Sequence, residues 1–175
     1  MDRDATLREV EQRVLWLATS IVHHANRVRP NPDGLKVGGH QASSASLVSI
    51  MTELWFNHLR PEDRVSVKPH ASPVLHAINY LLGELSAPQL ETLRAFGGLQ
   101  SYPSRAKDPD TVDYSTGSVG IGATATIWSA LAHRYVAGHT DVAVGGRQIA
   151  PSSSSASPSS ATWRPPCGTS KWPAT

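Results

Sequence analysis

RVSVKPHASPVLHAINYLLG, residues 64–83, decides the fold class. Val65 and Val67 alternate with polar neighbours, so residues 64 to 68 read as a short strand with one apolar face. Pro69 ends it. Ser72 is placed to cap a helix that runs to about Leu82, with Pro73 at its first position. A strand that turns directly into a helix is the unit of an α/β fold.

Working outward, two more helices follow downstream. Pro88 opens a helix to Phe96, and a glycine-rich turn, Gly117 to Gly122, leads into a helix from about Ala123 to Val136. Upstream, Leu7, Val10, Val14, Leu17, Ile21, Ala25 and Val28 recur at three- and four-residue spacings. They predict an amphipathic helix from about Ala5 to Arg29, stopped by Pro30. Residues 43 to 59 predict another, with Leu47, Ile50, Met51, Leu54 and Leu59 on one face. The expected architecture is α/β: a helix-rich, partial doubly wound parallel sheet with its loops gathered at one edge.

Composition changes sharply near the C-terminal end. The last acidic residue is Asp141, and seven of the ten residues 151 to 160 are serine. The expected organisation is a domain over residues 1–148 and a disordered Ser/Pro-rich tail over 149–175, because so few aliphatic side chains cannot offset ordering entropy. The formal net charge of +2 is too even for a nucleic-acid binder. No run approaches the roughly 18 apolar residues of a membrane span. One cysteine, Cys167, excludes an intrachain disulfide and a thiolate zinc site. A cytoplasmic protein is expected.

Three loop segments carry the candidate chemistry. Gly38-Gly39-His40 precedes a helix, where backbone N–H groups favour anions; a surface histidine beside an ordinary N-cap has the same text. Lys68-Pro69-His70-Ala71-Ser72-Pro73 lies at the strand-to-helix junction, the place where parallel sheets bind ligands. His70 there can donate a hydrogen bond or exchange a proton, or simply face solvent. Ser115 to Gly122 has the glycines of a backbone cradle for a phosphate or flat ring, and equally those of tight helix packing. His23, His24, His58, His76, His133 and His139 have no metal-ligand spacing and read as satisfied or solvated side chains.

Taken together, GGHQASSASLVSIMTELWFNHLR (38–60), VKPHASPVLHAINYLLG (67–83), GGLQSYPSR (97–105) and STGSVGIGA (115–123) resemble the N-terminal thiamin diphosphate-binding domain of the transketolase superfamily. Within it they are most similar to the homodimeric E1 component of pyruvate dehydrogenase. The resemblance implies catalytic roles for His40 and His70 near the substrate. It implies cofactor binding by His70, Ser72, Gly117, Ser118, Val119 and Gly120. It also implies pyruvate as substrate, magnesium beside the diphosphate, a lipoyl acyltransferase (E2) as partner and a homodimer. Ketol transfer of the transketolase type and a non-catalytic fragment are the alternatives.

The family's acidic magnesium motif is expected where the serine tract stands, and no Asp or Glu follows residue 141. The resemblance therefore implies truncation, and the tail reads either as the product of a reading-frame shift after about residue 149 or as a natural Ser/Pro linker. Serine codons of the TCN type, read two bases on, encode Phe, Leu, Ile or Val, the residues of a buried strand. The tail composition yields a first test. Amides of Ser152 to Ser160 should exchange as fast as in an unstructured peptide; protection comparable with the first helix would contradict the assignment.

Overall fold

The computed structural model describes residues 2–117 and 119–139. The tail and its expected disorder, the site residue Ser118 and the end of the expected domain lie outside the described residues.

The first helix, α1 (Arg3–His23), starts on Asp2, whose carboxylate accepts from the Asp4 backbone N–H at 3.1 Å. Its buried stripe is Val14, Ala18, Ile21 and Val22, continued by Ala25. The expected residues Val14, Ile21 and Ala25 are in it, whereas Val28 is 57% exposed. The last turn, His24–Val28, widens to π-helical geometry, closed by Arg29 N–H to the His24 carbonyl at 2.9 Å. Arg29 is then extended, as a residue before proline must be.

The second predicted helix is divided in two. α2 (Gln41–Ala45) and α3 (Val48–Glu53) are separated where the Ser46 hydroxyl donates to the Ser43 carbonyl at 2.9 Å. Such local bonds compete with the helical ladder. A second π-helical turn, Leu54–His58, follows α3. α4 (Ser72–Leu81) is the centre of the molecule: every residue from Ser72 to Asn79 is buried. A helix covered on all sides needs neighbours on all sides. α1 crosses it in the largest helix pairing, while α2, α3 and the short α5 (Ala87–Leu90) pack around it. The helix expected from Pro88 to Phe96 stops at Leu90 and gives way to turns. α6 (Ile121–His139) buries none of its residues, leaving Ile127, Trp128, Leu131 and Tyr135 each at least half exposed.

Among the described residues no strands pair. Residues 64–68 are extended, and side chains of the 113–116 stretch take their polar groups. Val65 N–H donates to Asp113 Oδ2 (2.9 Å), and the Thr116 hydroxyl donates to the Val67 carbonyl (3.4 Å). None of the described helices is long and apolar enough to cross a membrane.

Gly38 shows how tightly the first loop is seated. A Cβ there would lie 2.8 Å from the Val22 carbonyl oxygen and 2.9 Å from Ala25 Cβ, both on the α1 side. The missing side chain therefore serves an approach to that helix. Gly39, at φ +82°, turns the chain toward His40. Gly38→Ala should lower stability by about 1–3 kcal/mol, since backbone has to move. Gly117→Ala, whose Cβ meets nothing within 4 Å, should change it by less than about 0.5 kcal/mol. Urea midpoints compare the two.

Candidate functional site

The first and third loop segments both lie against the second, the first on its short turn and the third on the extended residues just before it. Pro69–Ala71 forms a single 3₁₀ turn, closed by Ala71 N–H to the Lys68 carbonyl at 2.8 Å. It delivers the chain into α4. Ser72 is the first helical residue and is buried, with Ala71 in the cap position that the sequence assigned to Ser72. His70 is exposed, and its ring faces Tyr102 with centroids 6.0 Å apart and planes tilted by 54°.

α2 packs against the Pro69–Ala71 turn, which brings the first segment alongside the second. His40 is exposed in the cap position of α2 and makes no capping bond. The loop before it is held by Asn26, a residue the sequence did not single out. Its Oδ1 accepts from Gly38 N–H at 2.7 Å, and its Nδ2 donates to the Gly39 carbonyl at 3.1 Å. The third segment joins through Thr116 and Gly122. A Cβ on Gly122 would sit 3.1 Å from Ser66 Oγ and 3.3 Å from Thr116 Cβ, so the turn lies directly on the extended segment. Val119 and Gly120 face outward, Gly120 at φ +87°.

Behind this surface lies a charged core. His76, on α4, is fully buried. Its Nδ1–H donates to Asp110 Oδ2 at 2.9 Å, and its Nε2–H donates to the Gln100 carbonyl at 3.1 Å. A carbonyl can only accept, so Nε2 carries a proton; with an ionised Asp110, Nδ1 does too. The pair is an imidazolium–carboxylate contact removed from solvent. Burial opposes the His76 charge, but the Asp110 bond and charge, the Gln100 carbonyl and Asp108 outweigh it, and its pKa is raised above 6.5. Burial likewise pushes Asp110 up, yet the His76 bond and charge and the Asn79 bond hold it below 3.8. Asp108 moves the other way: burial raises it beyond what its two backbone donors and His76 offset.

Asn79 Nδ2 donates to Asp110 Oδ2 (2.8 Å) and to the Thr111 carbonyl (3.1 Å). Asp108 takes Gln100 N–H on Oδ1 (2.7 Å) and Ser104 N–H on Oδ2 (2.8 Å). The sequence read His76 as a satisfied side chain, and it is one. Its acidic partners, more than thirty residues on in Asp110, carried no local signal.

His76, Asp108 and Asp110 are also within ligand spacing of one another, all three buried or nearly so. They do not suit magnesium. Both imidazole nitrogens point at acceptors, and Asp108 is already engaged on both oxygens, whereas a hard cation needs free oxygen ligands in octahedral array. The glycine turn does suit a flat ring: Cβ atoms at Gly117 and Gly120 would meet nothing within 4 Å, which leaves an open ledge of backbone.

The chain is similar in sequence to several known proteins. Three of them are named pyruvate dehydrogenase E1 component. The Mycobacterium tuberculosis protein is 35% identical over 144 residues, covering 73% of this chain and 15% of its own length. The Pseudomonas aeruginosa protein is 32% identical over 151 residues, with 81% and 17% covered. The Escherichia coli K12 protein is 31% identical over 139 residues, with 74% and 15% covered. The chain is thus related to E1 components and spans about 15% of their length. No family model matches it. No solved structure matches it either.

The titrations set a pH window. Stability from His76 is complete below pH 6.5 and is lost as pH rises through its higher folded value. Stability from Asp110 is complete above pH 3.8 and is lost as pH falls through its lower folded value. Asp108 opposes that gain, since its ionisation above pH 3.8 disfavours the folded state. His76→Gln should cost about 3–5 kcal/mol at pH 6, because Asp110 is left buried and unpaired. It should also abolish the alkaline decline in urea midpoint. A decline that persists unchanged in the variant would assign it to another group.

Proposed function

We propose that this chain forms the first cofactor-binding surface of a thiamin diphosphate-dependent pyruvate dehydrogenase E1. In the intact protein the reaction is decarboxylation of pyruvate and acetylation of a lipoyl group on an E2 acyltransferase. The relationship to E1 components carries the reading. The packing of α2 on the Pro69–Ala71 turn, and of Thr116 and Gly122 on residues 66 and 67 just before it, supports it. The E1 relatives favour this over ketol transfer. A parallel sheet remains the architecture proposed for the whole domain, with residues 64–68 as one of its strands. Exposed Trp128, Leu131 and Tyr135 on α6 supply apolar area that a homodimer would cover.

Thiamin diphosphate, when bound, supplies an electron sink for the carbanion left by decarboxylation. The chain's own residues bind and steer. The ledge at Gly117, Val119 and Gly120 would hold the aminopyrimidine through backbone groups, with Ser118 between them in sequence. Ser72, which the resemblance assigns to the cofactor, is buried at the start of α4. His70 and His40 are exposed and able to donate to a substrate carboxylate or to exchange a proton with it. Nothing among the described residues suits the cation that would neutralise the diphosphate.

Binding by the 175-residue chain should accordingly be weak and indifferent to magnesium. Calorimetric titration with thiamin diphosphate should give a Kd of about 0.1 mM or weaker, changed less than about twofold by magnesium. The chain should not turn over pyruvate above the rate of free cofactor. Tenfold tightening by magnesium would show a cation site in the chain. Absence of any binding, with the fold intact, would remove the proposal.

A further inference from the structure

Tyr102 occupies the middle of a loop whose two ends are fastened to one carboxylate. Gln100 N–H and Ser104 N–H, two residues to either side, donate to the two oxygens of Asp108 at 2.7 and 2.8 Å. Pro103 is among the fully buried side chains and seats the loop from below, while the Tyr102 ring is 40% exposed above. The Gln100 carbonyl is taken by His76, and His76 is held in turn by Asp110. Asn79 anchors Asp110 from the same face of α4, three residues on from His76. His70 stands just before the first turn of that helix. The short turn that bears His70 therefore leads directly into the helix whose His76 registers the Tyr102 loop.

We propose that Asp108, backed by His76 and Asp110, is a positioning clamp that holds Tyr102 against His70. Apolar packing alone would secure the loop without fixing its register. A bidentate carboxylate with a directional imidazolium behind it fixes both the loop's closure and its height on α4. The clamp touches no ligand itself and acts through Tyr102 on the exposed His70 face. It rests on the proposed function only in taking that face as the one a ligand meets.

The test reads the ring contact by NMR on the full chain. Tyr102→Ala should move the His70 ring-proton resonances, because the neighbouring aromatic ring shifts them. Asp108→Asn keeps the volume but can accept only one of the two backbone N–H groups. It should move the His70 resonances more than half of the way to their Tyr102→Ala positions, with helical circular dichroism unchanged. His70 resonances that stay at wild-type positions in Asp108→Asn, or that ignore Tyr102→Ala, would overturn the clamp. Amide exchange of the unaltered chain decides independently, even where Asp108→Asn does not fold. The Gln100 and Ser104 amides should be protected about 100-fold or more over an unstructured peptide; unprotected amides there would overturn it too. Neither readout involves thiamin diphosphate, so failure of the clamp and failure of cofactor binding are separate results.

Discussion

A protonated imidazole with no access to water has to be neutralised where it stands. His76 meets that demand with Asp110 on one nitrogen and the Gln100 carbonyl on the other, and most of the arrangement around the candidate site follows. Asp110 has to come to α4, so residues 99–111 are drawn across that helix. Asp108 comes with it and closes the loop bearing Tyr102. Thr111 is then secured by Asn79 from α4 and by Glu84, whose carboxylate accepts its N–H at 2.8 Å. The 113–116 stretch follows and runs beside the extended residues 64–68. The glycine turn is where this path ends. Asp110 Oδ1, buried with no partner among the described residues, is a cost of the arrangement.

The helical body does a different job. α4 is enclosed so completely that its N-terminal turn cannot shift without disturbing α1, α2 and α3. That enclosure gives the exposed His70, whose ring faces Tyr102, a rigid base. Asn26 does the equivalent at the end of α1, with its amide satisfying both backbone groups of the Gly38-Gly39 loop that leads to His40. The exposed His40 and His70 are thus each supported by contacts made one layer below.

Much of the helical content was legible, because periodicity reports which face is buried. α1 lies close to where apolar spacing and Pro30 put it, and α4 and α6 close to where Ser72 and the glycine-rich turn put them, although α6 buries none of its residues. Shorter elements were less legible. The break between α2 and α3 turns on a serine hydroxyl bonding its own backbone, and periodicity is silent about that. Residues 64–68 alternate as a strand does, but alternation says which side faces the core and not whether a neighbour pairs. The glycines were ambiguous for a similar reason. Gly38 is small for contact with α1, whereas Gly117 is open to solvent, and the residue type alone is identical in both.

By itself, the sequence determined the helix-forming stripes, the composition break after Asp141, and the three loop segments that resemble E1 components. These are local properties, or comparisons of text, and need no knowledge of which segments touch. Only the tertiary structure decided that Tyr102 faces His70, that Asn26 holds the glycine loop, and that His76 is paired with Asp110 in the core. Each of these joins residues from 12 to 34 positions apart. Contacts of that kind are made when helices pack and backbone groups seek partners, and no spacing along the chain encodes them.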